Sequence, residues 1–513
     1  MRNLLIVAFL FFVSQSFSQS SSKEYPKDYF GSPLEIPLLL SGNYGELRTN
    51  HFHAGLDIKT QGKTGLKVLS SADGYVSRIK VQERGYGKVI YITHPNGYTT
   101  VYAHLRSFEG VIKDSVRVEQ YANKSYTLDR YYLPKSLPVT KGQVVALSGN
   151  SGGSGGAHLH FEIRDTKSET PLNPLFFNLN IKDNLPPKIK GIALYPIGDN
   201  SLVNSKSKTF LTSAVKQSNY YVVQKDTIEV QGKCGIGIRA NDYLNNSRNR
   251  CGIYQLNVSV NGSDLFSFSA DKIPFHESRF INAHSDYSMK RRKNTWIHRA
   301  FVLPNDSLSV YKTNVNRGVI NVIEDSFYNV TCIVKDVSGN KTQVSFVLKG
   351  MSSLPVVKKV VKEDEVVLKY NSENVFQTDS FKLNIPTGAL YDDVLFRYAL
   401  KDYRYGKAKV KKDVHQVHSH ETPLHKSATF SIKSPKTFSD SSKIVVVSIK
   451  KTYRSFIVGQ YENGWVTFKS RYFGNFYLGQ DLVKPTVKNI DVYPGKVVSK
   501  QSEITFKIWD NVS

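Results

Sequence analysis

Acidic residues are in short supply in this 513-residue chain: 43 Asp and Glu face 69 Lys and Arg, a formal net charge of +26 at neutral pH. Such an excess attracts polyanions, yet no recognition-helix or RNA-binding signature accompanies it, which argues against nucleic acid as the partner. The charge is spread out, as in KVKKDVH and in KRRK at 290–293, so it reads as a solvated surface that suits anionic cell-wall or outer-surface polymers. Cysteine is scarcer still. Cys234, Cys251 and Cys332 fall in one stretch, where an exported setting permits a disulfide, but the odd count leaves one thiol over and nothing chooses the pair. Long apolar runs are missing too, and none approaches the ~18 residues needed to span a bilayer. The short apolar segment Leu4 to Val13 follows Arg2 and precedes small polar residues, which reads as a secretory signal over residues 1–18. No cysteine stands at that boundary, so a lipid anchor is not expected, and the mature protein is expected in the periplasm, the cell envelope or the medium.

Length sets the next bound. At ~100–200 residues per domain the chain holds three or four domains, each able to bury a core. Thirty Tyr and 28 Phe, with short alternating runs such as YQLNVSVNG, TCIVKDVSG and TQVSFVLKG punctuated by Gly, Asn and Asp, predict β-sandwiches. The expected division is a first domain over 19–180, an Ig-like β-sandwich over 187–350, a β-rich domain over 354–482, and the start of a further sandwich over 483–513. PKIKGIALYPIG at Pro187 recurs weakly as PTVKNIDVYPGK at Pro485, and the final run EITFKIWDNVS has nothing after it to pair with, as if a module were cut short.

The chemistry is carried by histidine. His158 and His160 stand two apart in GGSGGAHLHFEIR, and HFHAGLDI upstream supplies His53 and Asp57. Catalytic Zn²⁺ is commonly held by three protein ligands, imidazole nitrogens at ~2.0–2.1 Å and a carboxylate oxygen, leaving one position for water. HLHFEIR alternates like a strand, so 158, 160 and 162 share one face and Leu159, Phe161 and Ile163 the other. Gly55, between His53 and Asp57, would leave space for an ion. His104 closes the strand-like run YTTVYAHL. If His104 or His158 also bound, a tetrahedral site would be full, so three ligands and two non-ligand histidines are expected.

HxxxD, then YAHL, then KGQVVALSGNSGGSGGAHLHFEIR resembles the M23 (lysostaphin-type) zinc metallopeptidases, which cut peptide cross-links of peptidoglycan; the resemblance spans roughly residues 42–175. It implies a mainly β chain, with an M23-type antiparallel sheet as catalytic domain followed by β-sandwich domains. It further implies one Zn²⁺ held by His53, Asp57 and His160, with His104 and His158 as the catalytic pair and all the chemistry within 19–180. The envelope-like architecture favours D-Ala to diaminopimelate cross-links. Two other functions fit a related chain: a non-catalytic scaffold that regulates amidases, or a polysaccharide-binding or adhesion protein. One departure from the family is an excess of about 30 residues between Leu105 and Lys141, expected to reshape the cleft rim.

Neighbouring residues receive plainer readings. Glu162 is expected to orient a metal-bound imidazole or to pair with a cation, not to act as base. The glycines from Gly149 to Gly156 lack the Lys-Ser/Thr of a phosphate cradle and are followed by a strand, so they read as a loop passing close to substrate. His51 and His94 are assigned to structure. The group His415, His418, His420 and His425 has no accompanying carboxylate pattern and is not read as a second metal site.

Overall fold

The computed structural model describes residues 24–352, 365–405, 409–438, 440–450, 454–489, 491–493, 495–499, 504 and 506–511. The expected signal segment, 1–18, lies outside them. The chain is mainly β, as the alternating patterns predict.

The first region is built on a nine-stranded sheet whose main path runs Leu40–Gly42, Leu56–Lys59, His158–Asp165, Tyr98–Ala103, Lys88–Thr93, Gly74–Val81 and Leu128–Tyr131. Its strands alternate as strands with one face in a core must. Leu159, Phe161 and Ile163 are fully buried against Leu56, Ile58, Tyr102 and Ile92, while His160, Glu162 and Arg164 occupy the opposite face. His158–Asp165 lies in the middle of the sheet, hydrogen-bonded to Leu56–Lys59 on one side and to Tyr98–Ala103 on the other.

The extra residues after Leu105 hold a helix, Gly110–Ala122, that periodicity did not announce. It buries only Ile112 and Val116, one turn apart, and leaves Val111, Val118 and Tyr121 exposed. The following strand Leu128–Tyr131 pairs with Gly74–Val81 at the sheet edge farthest from His160. That half of the insertion therefore extends the sheet instead of forming a cleft rim, a correction to the expectation above.

The second region hydrogen-bonds into one ten-stranded sheet that includes the long strands Lys188–Val203 and Tyr220–Asn241, with one large apolar cluster and a smaller one around Tyr195 and Phe301. Three short helices, Ser278–Phe280, Ile281–His284 and Tyr287–Lys293, interrupt it. All three cysteines are free and buried; Cys234 and Cys332 lie in this core, so the disulfide that export would permit does not form. Burial pushes both thiols up to about 12, which keeps them protonated and inert. Beyond residue 364, a six-stranded and a five-stranded sheet face each other across a core of Phe381, Phe396, Phe430, Phe468 and Phe476. Near the end of the chain, Phe506–Trp509 pairs antiparallel with the earlier strand Thr486–Asn489.

The first two regions are joined tightly. Asn43 and Gly252 exchange two hydrogen bonds of 2.9 and 2.7 Å, and the Phe52 amide donates to Ser278 Oγ at 2.9 Å. Tyr44, Leu47 and Phe52 belong to the apolar cluster of the second region. The loop that leads into His53 is therefore supported from outside 19–180.

Candidate metal centre

Sheet register assembles the site. His160 lies opposite Asp57 on one neighbouring strand and opposite Ala103 on the other, so His104, the next residue, arrives beside it. His104 leaves the strand with φ +59°, a left-handed conformation that is uncommon outside glycine and that turns its ring back toward the sheet face. His53 reaches the same point from the loop before Leu56–Lys59.

Three atoms converge: His53 Nε2 is 3.1 Å from Asp57 Oδ1 and 3.1 Å from His160 Nδ1, and His160 Nδ1 is 2.9 Å from Asp57 Oδ1. Tetrahedral donors at zinc bond lengths are ~3.3 Å apart, so the spacing fits a single small cation. His158 Nε2 lies slightly farther out, 3.4 Å from Asp57 Oδ1, and the His104 ring is 4.8 Å from that of His158.

The outer ring nitrogens give a second test of fit. His53 Nδ1 is 2.7 Å from the Asn43 carbonyl, His104 Nδ1 2.8 Å from the Ser151 carbonyl, and His158 Nδ1 2.8 Å from the Gly156 carbonyl. His160 Nε2 is 2.8 Å from Glu162 Oε1. Each outer nitrogen faces an acceptor and so must carry the hydrogen, which leaves the inner nitrogen as a lone pair. The inner nitrogens of His53 and His160 face each other beside a carboxylate, an arrangement that calls for positive charge between them, either a metal cation or a proton on His160. The electrostatics agree. Burial pulls the His160 imidazole down, but its hydrogen bonds to Asp57 and Glu162 outweigh this and hold it above the ordinary range. Asp57 is held well below the carboxylate range because its imidazole neighbours overcome the cost of burial. Burial lowers His53 to about 4, and burial with the His160 charge lowers His104 to about 4, so both are neutral bases near pH 7.

Charge compensation extends outward from the centre. Glu162 is fully buried and also accepts from Arg164 Nε at 2.7 Å and from the Tyr86 hydroxyl. Although burial pushes the Glu162 carboxyl up, Arg164 and His160 hold it down to about 2. It therefore does both things expected of it, orienting an imidazole and pairing with a cation. On the other side Arg48 Nη2 is 2.5 Å from Asp57 Oδ2 and 3.4 Å from Glu46.

Arg48, Tyr86, Ser151 and Arg164 were missed in the sequence. Arg164 was within reach, because the alternation through 158, 160 and 162 continues to it. Ser151 shows what the glycine loop does. Its carbonyl holds His104, its hydroxyl donates to the Leu105 carbonyl at 2.8 Å, and a side chain on Gly149 would strike the backbone of Leu105 and Arg106. The loop braces the His104 turn at Gly149, whereas Gly155 and Gly156 border open space. Gly55 likewise has a reason other than room for an ion, since a Cβ there would meet the Phe161 carbonyl. His51 is exposed, its Nδ1 3.0 Å from the Thr49 carbonyl, while His94 is buried between the Asp73 carbonyl and Thr100. Of the distal histidines, His415 is hydrogen-bonded to Tyr398, His418 to Thr422 and His425 to Tyr391, in separate surroundings.

The fold and this cluster define a mainly β protein with a buried His–Asp–His group of the kind that holds a divalent cation. Residues 51–124 match Peptidase family M23, and residues 365–481 match a Zu5-like domain. A DD-carboxypeptidase/endopeptidase, Mpg, of Neisseria meningitidis serogroup B is 32% identical over 129 residues, 25% of this chain and 23% of that protein. An uncharacterized metalloprotease of Haemophilus influenzae is 34% identical over 110 residues, 21% of this chain and 18% of that one. The chain thus spans about a quarter or less of the length of these relatives. Among solved structures, the catalytic domain of the prophage-encoded M23 protein EnpA from Enterococcus faecalis is similar at 22% identity, covering 28% of this chain and 95% of that domain with a TM-score of 0.21. The N-terminal region of the chain is thus similar to peptidase family M23.

Proposed function

We propose that the protein is an exported zinc metalloendopeptidase that hydrolyses peptide cross-links of peptidoglycan in the periplasm or outer envelope, with D-Ala to diaminopimelate as the preferred bond. The observation that carries this reading is the convergence of His53, Asp57 and His160 on one point with every outer imidazole nitrogen already committed. Those three residues would hold one Zn²⁺, which would supply Lewis-acid polarisation of the scissile carbonyl and a water acidified toward a pKa of ~7. His104 stands beside the cluster with Nδ1 committed to the Ser151 carbonyl, and His158 with Nε2 3.4 Å from Asp57 Oδ1. One accepts the proton of the attacking water and delivers it to the leaving amine, and the other, when protonated, donates a hydrogen bond to the developing oxyanion. The left-handed turn at His104 and the Ser151 carbonyl fix that ring before substrate arrives, so little reorganisation is needed at the moment of reaction.

The cell-wall substrate also fits the charge. Arg279, Arg291, Lys469 and Arg471 line a cavity of about 900 Å³ that reaches Thr49, four residues before His53, and would attract anionic wall polymers toward the centre. Metal analysis of the purified protein, with digestion of sacculi and mass identification of released muropeptides, tests the proposal. One zinc per chain and cleaved cross-links are expected; intact sacculi in the presence of bound zinc would overturn it.

A further inference from the structure

The connector between the first two regions ends beside side chains that the peptidase reading does not use. Asp183 lies in the connector, Asp242 directly follows the strand Tyr220–Asn241, and Asp336 directly follows the strand Phe327–Lys335. One carboxylate oxygen from each lies within 4.8 Å of the others. Asp242 is 3% exposed and Asp336 4%.

Hydrogen bonding accounts for two of the three. Asp336 accepts from the Asn340 amide at 2.9 Å and from Asn340 Nδ2 at 2.7 Å, and that Nδ2 also reaches the Asp183 carbonyl at 3.3 Å. Asp183 Oδ1 accepts from the Leu185 amide at 3.1 Å. Asp242 Oδ1, by contrast, is buried with no hydrogen-bond partner. The charges acting on Asp242 are those of Asp183 and Asp336, both negative; burial, then these neighbours, push its carboxyl up to about 8. Burial also pushes Asp336 up to about 6. A buried carboxylate is ordinarily paired or bound to a metal, because an uncompensated one costs several kcal/mol.

We propose that Asp183, Asp242 and Asp336 form a calcium site that clamps the connector to the second sheet, distinct from the histidine cluster. The donors are all hard oxygens, which favour Ca²⁺ over zinc. Two oxygens on one Ca²⁺ can stand up to ~4.6–5.2 Å apart, which accommodates the observed group. Cys251, whose backbone pairs with Asp242, is kept from serving as a thiolate ligand because burial pushes its thiol up. The position gives the ion a structural task. Asn184 and Asn245 already exchange hydrogen bonds of 3.0 and 2.9 Å across the same junction, so an ion on the adjacent aspartates completes the attachment of the connector. Because the second region also supports the loop before His53, a rigid junction keeps that support in place.

The test uses the full chain with its zinc retained. Calcium titration by calorimetry should show one saturable site, and calcium ~100-fold above its dissociation constant should raise the melting midpoint by ~5 °C. Asp242→Asn should weaken calcium binding by at least ~10-fold and abolish the shift, with zinc content unchanged. Without calcium this variant should melt no lower than the parent, since it removes one of three repelling acids, and Asp336→Asn should show the same loss of binding as an independent check. Absence of calcium binding by the parent, or binding undiminished in both variants, would overturn the proposal, and an equal response to magnesium would overturn the assignment to calcium.

Discussion

Asp57 and Asp242 are both almost wholly buried aspartates, 6% and 3% exposed, set in opposite electrostatic surroundings. Around Asp57 stand His53, His158, His160 and Arg48, and the charge of Glu162 behind His160 is balanced by Arg164. Around Asp242 stand two further acids. The first group is preorganised by the protein's own cations and donors, so a metal entering it completes a set of lone pairs already held in place. The second has hydrogen bonds to Asp336 and Asp183 but no cationic side chain, so its charge is left to a proton or to the proposed cation. Burial alone is thus no guide to what an acid does; the sign of what surrounds it is.

Breaking the first group should have the largest effect. His160→Ala or Asp57→Ala removes one of three proposed ligands and should lower bound zinc and cut kcat/KM on a soluble cross-linked muropeptide by at least ~10⁴-fold. Near-stoichiometric zinc in Asp57→Ala would show that the compensation described here is not metal ligation. His104→Ala should separate chemistry from binding. Zinc is expected to stay while kcat falls ~10²–10³-fold, the range of a lost general acid or base; loss of the metal in this variant would move His104 into the ligand set.

Weakening the outer compensation should cost less. Glu162→Gln keeps the shape but leaves the Arg164 guanidinium, 5% exposed, with only the exposed Glu169 at 3.4 Å as charge partner and gives His160 a poorer acceptor. Zinc affinity should fall ~10–100-fold by competition with a chromogenic chelator, and chemical denaturation should show ~3 kcal/mol less stability. Unchanged zinc affinity would mean that Glu162 serves packing alone.

The last effect leaves the metal centre untouched and comes from a buried pair with no compensating charge. His284 Nε2 and His298 Nδ1 are 2.9 Å apart, with His284 also 3.3 Å from the Tyr311 hydroxyl. Burial, and for His284 the neighbouring His298 and Arg299 charges, hold both imidazoles low, His298 at about 4. Both are therefore neutral when folded and take up protons on unfolding once the pH falls below ~6.5. The stability they contribute is present above pH ~6.5 and lost as the pH drops toward 4, by up to ~3 kcal/mol for His298. Denaturation curves across that range should show the decline in the parent and a shallower one in His298→Gln; identical slopes would remove the pair as its cause.

Much of the first site was legible because its signals are local. The alternation in HLHFEIR set which side chains share a face, and the fully buried Leu159, Phe161 and Ile163 oppose His160 and Glu162 as that period requires. The helix Gly110–Ala122 was not legible, since its buried stripe is only Ile112 and Val116 and exposed apolar residues blur the period. Tyr86 was hidden for another reason. Its hydroxyl meets Glu162 and its carbonyl accepts from the His104 amide, contacts made 76 and 18 residues along the chain. Nor did anything at 183, 242 or 336 mark those aspartates as neighbours.

By itself, then, the sequence determined the mainly β character, the likeness of its first region to a peptidase family and the facing of His158, His160 and Glu162, because side-chain direction in a strand follows from period-two geometry over a few residues. Tertiary structure alone decided that His160 lies opposite both Asp57 and Ala103, that Arg48 and Arg164 balance the buried Asp57 and Glu162, that Phe52 is held by a neighbouring core, and that three distant aspartates converge. Those outcomes rest on strand register and on packing between segments far apart in the chain. Backbone hydrogen bonds that any residue can make carry the register, and no local pattern of side chains records which partner will be opposite.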